Sequence, residues 1–118
     1  MKALSVKPRW AMMILTGSKT IETRTWRTKY RGDILIVTSK IPVIPGIPSG
    51  HAICIARIID CRPMIKADEK AACCEIYRNA FAWILDNIRP IEPFPVKGQL
   101  GIFEVKYENY IMLQRTSI

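Results

Sequence analysis

Two clusters of prolines decide most of what this chain can fold into: Pro42, Pro45 and Pro48 in one, Pro90, Pro93 and Pro95 in the other. The first cluster, with Gly46 and Gly50, bars both helix and paired strand from Ile41 to Gly50, so that segment is a stiff loop. The second forces an extended path. What remains for regular structure is a set of short segments. Lys2 to Val6 reads as a first strand, and Pro8 stands where the first turn of a helix tolerates it. That helix runs to about Thr16, and Trp10, Ala11, Met12, Met13, Ile14 and Leu15 make it apolar almost all round, so it belongs in the core.

Further along, Thr20 to Trp26 alternates Ile21, Thr23 and Thr25 on one face with Glu22, Arg24 and Trp26 on the other. This predicts a strand whose charged face looks into water or a polar cleft. The Arg31-Gly32-Asp33 turn announces a strand over Asp33 to Val37. His51 to Asp60 is apolar on both faces, with Ala52, Cys54 and Ala56 small enough for close approach, and reads as a central strand. Asp68 is an N-cap for a helix continuing to about Asn79, with Ala72, Cys73, Ile76 and Tyr77 as its buried stripe. From Ala80 to Ile91 the residues Phe81, Trp83 and Leu85 alternate like a strand, while the segment could equally extend the helix. Gly98 opens a last strand, Leu100 to Val105, and the tail from Tyr107 to Ile118 is expected to fray. Five to six short strands with two or so helices predict an α+β protein, a small bent sheet or open barrel, in one domain over residues 1–118.

With 118 residues the chain can bury about two thirds of the surface its unfolded form exposes. Neither metal nor cofactor is expected. The cysteines, Cys54, Cys61, Cys73 and Cys74, form no Cys-x-x-Cys pair and no metal-spaced set with His51, so they read as reduced apolar residues in a cytoplasmic protein. The apolar stretch Trp10 to Leu15 is far too short for a signal or a membrane span. Lys plus Arg number 18 against 10 Asp plus Glu, a formal charge of +8 that favours a polyanionic partner. Nucleic acid suits it best, because Trp10, Trp26 and Tyr30 are interleaved with basic residues.

The functional chemistry concentrates in Gly17-Ser18-Lys19-Thr20-Ile21-Glu22-Thr23-Arg24. Gly17 can adopt the left-handed turn that ends a helix, so Lys19 emerges at the lip of any adjacent cleft. There it can bind a phosphate or, if desolvated, move a proton. Glu22 and Arg24, two apart on one strand, either shape a binding surface with Lys19 or form a surface salt bridge worth at most about 1 kcal/mol. Arg24 can also fork onto a phosphate or stack on a base. Trp26 and Tyr30 are candidate base platforms, with packing as the alternative for both. Arg31 adds positive charge beside them. Ser39 and Lys40 close the third strand, and Lys97 precedes Gly98. The lone His51 reads as a structural, hydrogen-bonded group.

The run Gly17 to Arg24, with the Trp10 helix before it, Trp26-Arg27-Thr28-Lys29-Tyr30-Arg31-Gly32-Asp33 after it and Pro95-Val96-Lys97-Gly98-Gln99-Leu100-Gly101-Ile102-Phe103-Glu104-Val105 at the end, resembles the ASCH domain family, a branch of the PUA-like folds. The resemblance covers roughly residues 2–106. It implies a PUA-like small bent β-barrel, a strand over Ala80 to Ile91, a basic cleft around Lys19, Glu22, Arg24 and Trp26 that Ser39 and Lys40 also face, and a Val-Lys-Gly turn at Lys97 where glycine lets a ligand backbone approach. It also implies two classes of function. One is an RNA-binding module holding a single strand or a nucleobase. The other is a small hydrolase, a ribonuclease or an amidohydrolase that removes the acetyl group from acetylcytidine, with Lys19 and Glu22 as catalytic residues. The amidohydrolases place a nucleophilic threonine three residues after the lysine, where this chain has Glu22. A carboxylate there could instead activate water or fix the lysine's charge, while Ser18, Thr20 or Thr23 could supply a hydroxyl, and phosphodiester cleavage can use Lys, Arg and Glu without a dedicated nucleophile. A protein-interaction domain presenting its proline-rich loops is the third possibility.

Overall fold

Residues 1–107 are described by a computed structural model of the protein. All of the expected tail except Tyr107 lies outside the described residues. The elements run β1 (Lys2–Val6), α1 (Pro8–Leu15), β2 (Ile21–Arg24), β3 (Gly32–Thr38), β4 (His51–Pro63), a 3-10 turn (Lys66–Asp68), α2 (Glu69–Ala72), β5 (Phe81–Pro95) and β6 (Ile102–Glu104). The strands form one six-stranded sheet in the order β2-β5-β4-β3-β1-β6. Only β1 and β3 run parallel, joined by a crossover that contains α1 and β2. The central pair is long, 13 residues in β4 and 15 in β5. Its register shifts at Ala52/Cys54, Ile55/Arg57 and Ile58/Asp60. Each such bulge bends and twists a ladder locally, and together they curl the sheet into an open half-barrel of the PUA-like kind.

Alternation along the strands sorts the apolar side chains onto two faces. Leu4, Val6, Ile34, Ile36, Ala56 and Trp83 gather on the face that receives Ala11 and Ile14 of α1. Ala3, Leu35, Val37, Ala52 and Phe94 occupy the other. The sequence marks β4 as central, and the structure places it between β5 and β3. Trp83 is fully buried, and its indole N–H donates to the Trp26 carbonyl at 3.3 Å. The segment read two ways is strand, and it continues through all three prolines at 90, 93 and 95. The loop from Ile41 to Gly50 has neither helix nor strand. Cys54 and Cys61 are buried and unbridged, and burial pushes the Cys54 thiol up to about 12, which leaves it an inert core residue. Among the described residues no helix is long and apolar enough to cross a membrane.

The main departure from expectation is the second helix, which stops at Ala72 instead of continuing to about Asn79. Cys73 takes a left-handed φ of 57°. Its N–H donates to the Lys70 carbonyl at 3.2 Å and that of Cys74 to the Glu69 carbonyl at 3.3 Å. This is the Schellman arrangement that terminates helices. Of the expected buried stripe only Ala72 is buried, while Ile76 and Tyr77 are exposed. Asp68 caps the preceding 3-10 turn, accepting the Ile65 N–H at 2.9 Å, and is gripped by Arg62 at 2.7 and 2.9 Å. The second strand, expected over Thr20 to Trp26, is confined to Ile21–Arg24, and the last is only Ile102–Glu104.

A non-glycine residue in the left-handed region costs about 1 kcal/mol. Cys73→Gly is therefore expected to raise stability by up to about 1 kcal/mol, read as a higher thermal midpoint, provided that the weak contact from its Sγ to the Ser18 carbonyl contributes little. An unchanged or lower midpoint would show that the thiol contact outweighs the backbone relief.

Candidate functional site

The end of α1 sets up the site. Gly17 has φ +86° and its N–H donates to the Ile14 carbonyl at 3.1 Å, so the chain reverses there as the sequence predicts. Lys19 is then tied down by its own N–H to the Met13 carbonyl at 3.0 Å. Its side chain, 2% exposed, turns inward instead of standing at the surface. A buried ammonium needs partners, and three are present. The Nζ donates to the Ala72 carbonyl, lies 3.7 Å from Glu22 Oε1, and sits 5.2 Å from the centre of the Trp10 ring. Helix α2, by stopping at Ala72, is what leaves that carbonyl free to accept.

Glu22 is also buried, and every contact it makes is with a donor or a cation. Its Oε1 accepts the Thr23 N–H at 2.9 Å and its Oε2 accepts from Arg24 Nη2 at 3.1 Å. The same Arg24 nitrogen donates to the Ser5 carbonyl at 2.7 Å. Arg24 lies on β2 and Ser5 on β1, strands separated by three others in the sheet. The guanidinium therefore clasps the edge strand β2 to β1, the strand next to the opposite edge, across an open seam.

A cavity of about 550 Å³ lies along this seam, with Lys19, Glu22 and Arg24 in its wall together with Ser5, Trp10 and Ser39. Lys7, Thr23, Ile41, Cys74 and Tyr77 also border it. A second cavity, of about 380 Å³, shares Ser5 and Ser39 with the first and continues past Lys40, Lys97 and Gly98. Gly98 approaches closely: a Cβ there would meet Ser5 Oγ at 2.7 Å, so the missing side chain makes room for that serine. The Ser5 hydroxyl is buried without a hydrogen-bond partner among the described residues.

The structure thus brings Lys19, Glu22, Arg24 and Ser39 together around one cavity and Ser39, Lys40 and Lys97 around its neighbour. It does not bring Trp26, Tyr30 or Arg31 there. Trp26 leaves the seam because β2 ends at Arg24, and its ring packs edge-on against Trp83 with centroids 4.8 Å apart. The Tyr30 hydroxyl donates to the Asp33 carbonyl at 2.6 Å, and Arg31 caps the Thr28 and Tyr30 carbonyls. His51 is structural, its Nδ1 2.8 Å from the Ser49 carbonyl. Sequence reasoning assigned Trp10 to the core alone, yet its ring faces the cavity. The signal was available, since the helix before the polar run must carry some residue on the side that run faces. Of the hydroxyls considered beside Lys19, only Thr23 borders the cavity, although strand alternation placed it on the face away from Glu22. Its Oγ1 lies 3.8 Å from Cys74 Sγ, and no hydrogen bond links that hydroxyl to Lys19 or Glu22. Among the described residues no three His, Cys, Asp or Glu side chains gather around a point where a metal ion could sit.

Comparison with known proteins gives a family. The ASCH domain model matches residues 4–95. The crystal structure of ASCH from Zymomonas mobilis superposes with a TM-score of 0.73 at 16% identity, covering 97% of this chain and 93% of that one. A serine-to-alanine mutant of the Zymomonas mobilis protein superposes at 0.67 and 16% identity, covering 98% and 94%. At that identity the likeness speaks for the fold. No curated protein matches the chain.

Removing one partner of a buried ion pair strands the other. Glu22→Gln is expected to destabilise the protein by about 3 kcal/mol in urea unfolding. Adding Lys19→Met to the same chain should recover most of that loss, because the stranded ammonium is gone. A loss below about 1 kcal/mol for the single variant would mean the pair behaves like a surface bridge.

Proposed function

The chain belongs to the ASCH domain family, and we propose that within it this protein is a nucleic-acid-binding module that holds a base of single-stranded RNA in the seam cavity. The family is PUA-like and its members commonly bind RNA. The observation that carries the reading is the cavity's composition. Its volume, about 550 Å³, is within the range of small-molecule pockets. One wall is the Trp10 indole, already bearing the Lys19 ammonium on its face, and at the rim stands the exposed Tyr77 ring. Between them are fixed donors and acceptors from Arg24, Glu22 and Ser39. Aromatic surface with a few oriented polar groups suits a planar heterocycle, which is stacked by rings and read at its edges. The net charge of +8 supplies the long-range attraction to a polyanion.

A second reading keeps Lys19 and Glu22 as catalytic residues of a small hydrolase acting on RNA or acetylcytidine. What favours it is the desolvated Lys19–Glu22 pair in the cavity wall, an arrangement in which a carboxylate holds an amine in place. What weighs against its acetylcytidine form is that the Thr23 side-chain hydroxyl, which borders the cavity, is hydrogen-bonded to neither Lys19 nor Glu22, as an activated nucleophile would be.

Fluorescence anisotropy with a labelled short single-stranded RNA tests the first reading. Affinity should fall with salt by about 0.7 log units per decade for each phosphate contact. Trp10→Ala should weaken binding by about tenfold, the low end expected for loss of one stacked base. A salt-independent affinity would sink the reading. Mass spectrometry of the same RNA and of acetylcytidine after incubation, beside a Lys19→Ala control, tests the second: products that disappear in the control would establish it.

A further inference from the structure

We propose that the second cavity is a phosphate subsite serving the seam cavity, so that the ligand is a nucleotide within an RNA strand and not a free nucleoside. This rests on reading the seam cavity as a base pocket. The argument begins with which cations are already engaged. Inside the seam cavity, Lys19 and Arg24 both face Glu22, and each also donates to a backbone carbonyl, Ala72 and Ser5 respectively. A phosphate entering there would meet the Glu22 carboxylate and would have to break those bonds to gain a cation. The one further cation on that cavity, Lys7, is exposed at its border and has no ion pair with a described residue, so the charges held inside the wall are balanced and the interior suits an uncharged group.

The second cavity is the reverse. No Asp or Glu lines it, and two lysines do. Lys40 and Lys97 are exposed, and neither forms an ion pair with a described residue. The two spaces are contiguous, since Ser5 and Ser39 belong to the walls of both. At that shared wall the Ser5 hydroxyl has no partner. A ligand with its base in the first cavity thus has its sugar at the two serines and its phosphate between two unengaged ammonium groups. Lysine suits this role, because a compact charge on a flexible stem tolerates the varied geometry of a phosphodiester. Two lysines with no ion pair to a described residue and no carboxylate at one end, against a wall whose Lys19 and Arg24 are balanced by Glu22 and whose unpaired Lys7 is exposed at its border, match a nucleotide, which is charged at one end and neutral at the other.

The test compares the native chain with a Lys40→Gln/Lys97→Gln double variant, using a short mixed-sequence single-stranded RNA and, separately, the four unmodified nucleosides. Both lysines are exposed, so the fold should survive, checked by the thermal midpoint. A second double variant, Lys29→Gln/Lys66→Gln, removes the same charge from exposed positions that line neither cavity. The expected result is that Lys40→Gln/Lys97→Gln weakens RNA binding at least tenfold at low salt. The slope of log affinity against log salt should also shrink by about 1.4, two contacts at 0.7 each. Nucleoside binding should be unchanged, and the control variant should lose less than half as much slope. If the native chain binds RNA but the two double variants lose equal slope, or neither loses any, the subsite is overturned while the base pocket stands. Nucleosides binding as tightly as RNA would also overturn it. Failure of the native chain to bind RNA at all would remove the base-pocket reading and this inference with it.

Discussion

One buried carboxylate organises this site. Glu22 accepts from the backbone of Thr23, holds Lys19 at 3.7 Å and orients Arg24 at 3.1 Å, and through Arg24 it reaches the Ser5 carbonyl on the far side of the sheet. The half-barrel has no backbone ladder between β2 and β1, so the closure that a full barrel obtains from strand pairing is made by one guanidinium. An arginine donates to two acceptors in fixed directions, which is what a clasp between two separate strands requires. The same carboxylate allows a lysine to sit in a cavity wall at almost no exposure without an uncompensated charge.

That arrangement changes how the strong positive charge of the chain should be understood. The basic residues fall into three kinds. Some are consumed in surface pairs, as Arg57 is with Asp86 and Arg89 with Asp33, where the facing guanidinium holds each carboxyl below its ordinary range. Lys19 and Arg24 are consumed inside the seam. Others, Lys7, Lys40 and Lys97 among them, border the cavities and form no ion pair with a described residue. Only the last kind gives the surface near the cavities an unbalanced field, so the unbalanced charge and the shape of the seam cavity are carried by different side chains.

Much of the fold was legible because the prolines and the alternation of β4 leave few other solutions. The Gly17 turn was equally readable, since a glycine after an apolar helix is a known stop and the residue two positions on must then emerge near it. The end of α2 was not, because Cys73 carries no mark of the left-handed conformation that glycine would have advertised. Missing that stop also hid the Ala72 carbonyl as a partner for Lys19. That Trp10 and not Trp26 lines the seam cavity was hidden for a similar reason. Alternation assigned Trp26 to the face of Glu22 and Arg24, but β2 ends before that residue, and where pairing ends so does the two-residue period. Thr23 departs from alternation too, since β2 is an edge strand whose cavity side wraps around its margin. Ser5, part of a strand and polar only in its hydroxyl, gave no signal of lying between two cavities.

The order of the strands has a kinetic side. β1 precedes the other described strands in the chain, yet its neighbours are β3 and β6, and its start is fixed by a hydrogen bond from the Met1 nitrogen to the carbonyl of Val105. Until β6 arrives, the edge of β1 at Lys2, Ala3 and Leu4 has nothing to pair with, while Ser5, which the Arg24 clasp grips, is already held by β3. Loop-closure entropy must be spent over almost the whole described chain before those contacts return anything, so this topology belongs with domains that fold in milliseconds to seconds. A ribosome releasing the chain strand by strand delivers the hairpin of β4 and β5 well before Lys97 and Gly98, and the second cavity, whose wall they complete, is therefore among the last features to exist.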